Sequence, residues 1–520
     1  MSNFSLSEES KYNVSDPLAL FYDLTLDKKN TILLESLEVH TKAGTTSLLG
    51  INSALKFSCL DRVVTIEILN ENGLVAAEDL IKLLPANDIS VLSKNEKEIK
   101  ILFKEIDQNQ DEDSRLKATT VLDTLRKALM LNPKFGKKED LILAGVFGYD
   151  LIGSFEKLPE VKNGTNTCPD FCFYLLDTFI KINHKEHTSS IHAIAFSEKE
   201  AMLLKDKVQL LKKKLDDYKE VEKPKELSII GEQVRTDISD KDFCEIVKTL
   251  KGNILKGDIF QVVPSRTFKI KCPSTINAYH TLKHTNPSPY MFYMNDSDFV
   301  IFGASPESSV KFTAKTRQVE MYPIAGTRGR GKNEDGSINL DLDSRIELEL
   351  RQDKKENAEH LMLVDLARND IAKISEPGTR HVVDLLNVDR YSHVMHLVSR
   401  VVGTLRKDLD ALHAYQACMN MGTLTGAPKI KATELIRQTE KTRRGSYGGA
   451  IGFLSGNGDM DTCIVIRAAF VKDGIAHVQA GCGVVFDSVP IMEAQETQKK
   501  AAAVLNAIAL SHQTTLKEIM

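Results

Sequence analysis

Two carboxylate pairs carry the strongest chemical signal in this 520-residue sequence. Glu493, Glu496 and Lys500 fall at i, i+3 and i+7 in a run that Pro490 opens and that stays helix-compatible to about residue 510. Val504, Ala507 and Ile508 continue the same face, so the ionisable groups point where the core is. A carboxylate aimed at a low-dielectric interior is costly unless compensated, and one lysine neutralises only one of two. The spacing predicts a bound cation; an exposed helix with a Glu–Lys ladder fits this stretch alone equally well. Glu356 and Glu359 repeat the pattern, with Leu363, Leu366 and Ala367 on their face. If the two helices face one another, hard oxygen ligands with room for water describe magnesium. The exposed-helix reading then has to hold twice.

Other residues suggest an anion beside that cation. Gly481, Cys482 and Gly483 follow a strand pattern at 475–479, and the glycines let the backbone approach a ligand closely. Residues 323–331, which include Gly326, Thr327, Arg328 and Arg330, read as glycine-rich turns able to hold a carboxylate through backbone N–H groups, or as an exposed basic loop. Arg467 sits in an apolar strand pattern at 463–471 and calls for an anionic partner. Tyr447, among Gly445, Gly448 and Gly449, can donate its phenol to the same ligand.

The elements that must position these groups are legible in part. Residues 17 to about 180 carry alternating strand patterns, as at 63–69 and 171–180. A lysine-rich helix at 198–225 marks a boundary, dividing the chain into parts 1–225 and 226–520. Ser239 and Asp240 cap a helix striped by Phe243, Val247, Leu250 and Ile254, and strand patterns follow at 259–263 and 266–270. With no Gly-x-Gly-x-x-Gly behind a strand and no P-loop, the class reads as α+β, antiparallel sheets with helices outside. A net charge of −4 offers no basic field for nucleic acid or membrane. The polar start, 1–16, holds no apolar signal core and no run has membrane-span length, so a cytoplasmic location is expected. Eight scattered cysteines without Cys-x-x-Cys read as reduced packing residues.

The run from about 235 to 510 resembles the chorismate-binding enzyme family. The resemblance rests on Gly303-Ala304-Ser305-Pro306-Glu307, 323–331, 355–370, Ser399-Arg400-Val401-Val402-Gly403, Thr425-Gly426-Ala427-Pro428-Lys429, 443–453, 481–483 and 493–501. The whole chain resembles the anthranilate synthase large subunits (component I) within that family. The resemblance implies two packed antiparallel sheets flanked by helices in α/β/β/α layers, with 1–225 regulatory and 226–520 catalytic. It also implies Glu359 and Glu496 as direct Mg2+ ligands, backed by Glu356 and Glu493. Gly326, Thr327, Gly481, Cys482, Gly483 and Lys500 would hold the ring carboxylate of chorismate, and Tyr447 and Arg467 its enolpyruvyl carboxylate. His396, Glu307 and Thr327 would act near the departing C4 hydroxyl; His396 on its own reads as a half-buried helix histidine. His360, His381 and His393 read as structural.

Position-specific differences select the reaction that the resemblance implies. Isochorismate and salicylate synthases carry a water-activating lysine where this chain has Gln261, and an amide is no base. Aminodeoxychorismate synthases carry a nucleophilic lysine where this chain has Ala325. What remains is ammonia adding at C2 to give anthranilate and pyruvate. An aminodeoxychorismate synthase-like enzyme and a non-catalytic tryptophan-binding regulator are the alternatives. The resemblance further implies ammonia from a separate glutamine amidotransferase subunit, a heterotetramer, and feedback by tryptophan. The inhibitor would be held by Ser36, Pro289, Tyr290 and Met291, with Glu35 beside Ser36 on its ammonium. A chain with no tryptophan of its own suits an enzyme made when that amino acid is scarce.

Overall fold

The computed structural model describes residues 6–12, 14, 16–26, 28–37, 44–218, 233–391 and 394–516. The boundary expected at 225/226 lies outside the described residues.

Two long strands, Gly44–Leu60 and Phe171–Asn183, pair antiparallel along their length, with register shifts between Gly50 and Leu55. Bulges bend a strand pair. Here the bend passes the pair from one sheet to another. Beyond it on one side, Thr31–Leu37, Tyr290–Asn295, Val300–Ser305, Ala468–Lys472, Ile475–Gly481 and Ser265–Lys271 follow in antiparallel succession from the first half of Gly44–Leu60. On the other side Ile142–Phe147, Ala450–Ser455, Met460–Ile464, Ser308–Thr313, Gln318–Met321 and Val394–Thr404 follow from the first half of Phe171–Asn183. Each sheet therefore draws strands from both ends of the chain.

Period-2 alternation sorts the side chains into three apolar layers. Ile32, Phe292, Met294 and Ile301 of the first sheet meet Ile142, Ala144, Val146 and Ile451 of the second in a core that draws on no helix among the described residues. On the first sheet's outer face, Leu33, Met291, Tyr293 and Phe302 pack with the helices Pro17–Thr25, Glu198–Asp216, Thr275–Thr285 and Pro490–Ser511. The outer face of the second sheet, with Leu143 and Phe147, packs with Glu71–Leu83, Leu122–Met130, Lys354–Ala372 and Ala411–Cys418. The α+β class and its helix, sheet, sheet, helix layering are as expected. No helix among the described residues is long and apolar enough to cross a membrane.

A buried ion pair ties the two sheets. Lys56 Nζ lies 3.2 Å from Asp296 Oδ1 and 3.2 Å from Glu67 Oε1, and Tyr174 donates its hydroxyl to Asp296 at 2.6 Å. Removing one partner strands a buried charge. Lys56→Ala is expected to lose about 3–5 kcal/mol, read as unfolding at lower urea concentration; an unchanged transition would disprove the clamp.

Candidate active site

Each carboxylate pair stands on a helix whose start is specified locally. Asp353 Oδ1 accepts the backbone N–H groups of Lys355 and Glu356 at 3.0 and 3.1 Å, capping Lys354–Ala372. Pro490 opens Pro490–Ser511 as its first residue. The two helices aim their acids at each other: the charges of Glu356, Glu493 and Glu496 all act on Glu359. Burial first, and then these neighbours against Lys355, push Glu359 up to about 7. Glu493 is raised by burial too, opposed by Ser488 and assisted by Glu496.

Cations of the chain occupy part of this cluster. Lys500 Nζ lies 2.6 Å from Glu496 Oε1 and donates to Gly481 O at 3.1 Å. Arg328 donates to Glu356 Oε1 at 2.9 Å and to Asp353 at 2.7 Å. Lys355 stays 3.7 Å from Glu359, whose Oε1 is buried without a hydrogen bond among the described residues. No three acidic, histidine or cysteine side chains among the described residues form a closed metal cage. Magnesium does not need one, because it takes one or two carboxylates and completes its shell with water and substrate oxygens. An orphaned carboxylate oxygen facing three more acids fits that ion.

Arg467 is not inside a strand. The apolar run at 463–471 breaks into Met460–Ile464 of the second sheet and Ala468–Lys472 of the first, with Arg467 at the crossing in the left-handed region, φ +50°. Ala304 donates its backbone N–H to Arg467 O at 3.1 Å, which holds that conformation. The crossing turns the guanidinium into the cleft, where the charges of Glu496 and Glu307 act on it. It makes no hydrogen bond or ion pair among the described residues. Tyr447 is buried with its phenol held protonated, above all by burial. A Cβ on Gly481 would stand 3.0 Å from that phenol oxygen and 2.6 Å from Pro264 O, so only glycine fits beside it.

Residues 323–331 are not turns throughout. Ile324–Gly329 is a strand on Val394–Thr404, with a bulge between Ala325 and Thr327 where Gly326 takes φ +63°. The bulge sets Thr327 Oγ1 3.0 Å from His396 Nδ1. His396 is buried on that strand and is not a helix residue. Burial, with Arg467 and Lys500 adding, pulls it down to about 4, so it is neutral at pH 7. Glu307 behaves oppositely: burial pushes it up to about 8 although Thr423 donates to its Oε1 at 2.9 Å. Between the two, Glu307 carries the proton at neutral pH.

Thr423 and Arg328 are the contacts that sequence reasoning passed over. Thr423 lies two residues before the quoted Thr425–Lys429 motif, and Arg328 within the glycine-rich run, so both had a signal. Gln261, on the short strand Gln261–Val262, has a buried Oε1 without a hydrogen bond among the described residues, and a Cβ on Gly483 would stand 2.7 Å from its Nε2. Cys482 is buried and its thiol is pushed up by burial and by Glu493. His360 bonds Ser399 Oγ at 2.6 Å, His381 is exposed, and His393 lies outside the described residues.

The expected inhibitor residues come together elsewhere. Tyr290 pairs with Ser36 and Met291 with Glu35 across adjacent strands, and Leu37 donates its N–H to Pro289 O at 2.9 Å. Glu35 is not free for a ligand ammonium, because Lys283 and Tyr279 hold its carboxylate at 2.6 and 2.8 Å.

A family model described as chorismate binding enzyme matches residues 88–506. The chain belongs to that family. This chorismate-binding enzyme is 52% identical over 505 residues to anthranilate synthase component 1 of Vibrio cholerae serotype O1, covering 96% of this chain and 95% of that one. To the protein of the same name from Escherichia coli strain K12 it is 51% identical over 501 residues, at 96% and 95% coverage. It superposes on the crystal structure of anthranilate synthase component I from Streptococcus pneumoniae TIGR4 with a TM-score of 0.67 at 30% identity, over 88% of this chain and 92% of that one.

Proposed function

We propose that this chorismate-binding enzyme is the large subunit of an anthranilate synthase, converting chorismate and ammonia to anthranilate, pyruvate and water in tryptophan biosynthesis. The observation that carries the reading is Gln261: where a water-activating base would stand, a neutral amide lies against Gly483, its oxygen without a hydrogen bond among the described residues. Ala325 supplies no amine nucleophile either.

Arg467 and Tyr447, whose guanidinium and phenol make no hydrogen bond among the described residues, bind the enolpyruvyl carboxylate. Lys500 and the backbone at Gly326, Thr327 and Gly481, Cys482 and Gly483 hold the ring carboxylate. Glu359 and Glu496 are suited to hold Mg2+, with Glu356 and Glu493 behind them, and the ion would neutralise that ring carboxylate. Protonated Glu307 gives its proton to the C4 hydroxyl, which leaves as water while ammonia adds at C2. Neutral His396 fixes the rotamer of Thr327 beside the ring. Loss of the C2 proton and of pyruvate then aromatises the product.

This assignment makes turnover depend on a carboxylic acid. Folding raises the Glu307 pKa, so the acid form is complete at low pH and is lost as pH rises through about 8. The kcat/KM profile, which reports the free enzyme, is expected to fall across that pH. Glu307→Gln should lower kcat by roughly 10²–10⁴ and remove the alkaline limb; an unchanged limb would show that another group titrates.

Glutamine hydrolysis needs a cysteine thiolate beside a base. The cysteine in this cleft, Cys482, is held as a thiol, which supports ammonia arriving from a separate glutamine amidotransferase subunit in a heterotetramer. Tryptophan feedback is assigned to Ser36, Pro289, Tyr290 and Met291, with 1–225 as the regulatory part, 226–520 as the catalytic part, and the cytoplasm as location. Tyr290 lies cross-strand from Ser305, whose Oγ accepts the N–H of Glu307, a short path from inhibitor to acid.

The deciding experiment incubates the purified chain with chorismate, Mg2+ and an ammonium salt and follows anthranilate fluorescence, then repeats it with tryptophan and with glutamine as nitrogen source. Fluorescence from ammonium that tryptophan suppresses supports the reading. Another aromatic product refutes the reaction, and equal rates from glutamine refute the separate subunit.

A further inference from the structure

Helix Thr275–Thr285 lies on the outer face of the first sheet, and its two faces do different work. Ala278, Tyr279 and Leu282 are buried, and Tyr279 and Lys283 both hold the carboxylate of Glu35. At the helix start Ser274 donates its N–H to His512 Nε2 at 3.2 Å. Rotation of the helix about its axis is thereby fixed. Its remaining side presents His280, half-buried, and His284, exposed, four residues apart and therefore one turn above each other.

The two imidazoles do not splay into solvent. Their centroids are 4.4 Å apart at an interplanar angle of 70°, and the two Nε2 atoms face each other at 3.0 Å. A cation with metal–nitrogen bonds of about 2.0–2.1 Å sets two such nitrogens about 2.9 Å apart in a square-planar site and about 3.3 Å apart in a tetrahedral one. The observed spacing falls between these values. We propose that His280 and His284 form a chelate for a divalent transition cation, with water completing the shell. Imidazole is a borderline donor that selects zinc, nickel or copper and discriminates against magnesium, so this site is chemically separate from the carboxylate cluster. On binding, the ring that now donates from Nε2 carries its proton on Nδ1, and both Nε2 lone pairs face the ion.

The test uses the full chain, stripped with a chelator and dialysed, titrated calorimetrically with Zn2+ in saturating Mg2+. The wild type is expected to bind one Zn2+ more than His284→Gln, or to bind it about tenfold or more tightly, since even outer-shell partners of a ligand are worth 10–100-fold in affinity. His280→Gln should match that loss. In a second readout, added Cu2+ should give a paramagnetic resonance spectrum with hyperfine coupling from two nitrogens in the wild type and from one in either variant. Both variants should keep full chorismate turnover with Mg2+. Equal stoichiometry and affinity in all three proteins, or no wild-type binding below millimolar Zn2+, would overturn the site.

Discussion

Glu359→Gln is expected to abolish chorismate turnover, lowering kcat by about 10³ or more, while making the magnesium-free protein no less stable. The two effects have opposite signs because the same charge causes both. Ionised Glu359 faces Glu356, Glu493 and Glu496 with a buried oxygen that makes no hydrogen bond among the described residues and meets Lys355 at 3.7 Å, a poor arrangement in the absence of a metal cation. Its pKa is raised on folding, from 4.5 to about 7. Its contribution to stability is therefore present below pH 4.5 and lost as pH rises through about 7. Glutamine keeps the shape and removes the repulsion, so the melting temperature without magnesium should hold or rise at pH 8. Added Mg2+ should raise that temperature in the wild type and leave the variant unmoved. Retained activity at ordinary magnesium concentration would end the ligand assignment.

Arg467→Met should lower kcat/KM by roughly 10²–10⁴, through KM more than kcat. The guanidinium has no hydrogen bond or ion pair among the described residues, and its backbone takes a conformation that a non-glycine residue adopts only when its surroundings impose it. That arrangement serves an anion that arrives later. Arg467→Lys should recover little, because an ammonium cannot reproduce the fork. A chorismate analogue lacking the enolpyruvyl carboxylate separates binding from disruption. It should lose affinity for the wild type and lose nothing further on the variant. Equal additional loss would mean that the substitution damages the fold.

The two helices were legible because their signals are local. A 3.6-residue period and a proline at the first position place Pro490–Ser511 almost to the residue, and the same period identifies the helix that the structure bounds at Lys354–Ala372. The break at Arg467 was not, because the chain passes from one buried sheet to the other without a glycine, proline or run of polar residues, so the run at 463–471 is apolar on both sides of Arg467. Nor was the strand at Ile324–Gly329: its glycines describe the bulge and hide the pairing. The facing of the carboxylates could be argued from repetition, and Lys355 and Lys500 stand four residues from Glu359 and Glu496 on their own helices, within reach of spacing. Arg328 reaches Glu356 through tertiary placement, which no spacing encodes. The same holds for Glu35, whose partners stand nearly 250 residues away.

The strand Thr31–Leu37 finds its neighbour in Tyr290–Asn295. On the ribosome that partner is made about 250 residues later, roughly 10–50 s at ordinary elongation rates. Through that interval the nascent protein exposes an apolar strand edge, open to pairing with another chain. Biogenesis of this enzyme should therefore lean on chaperones that shield the emerging chain, and slowing translation between the two strands should increase aggregation without altering a residue.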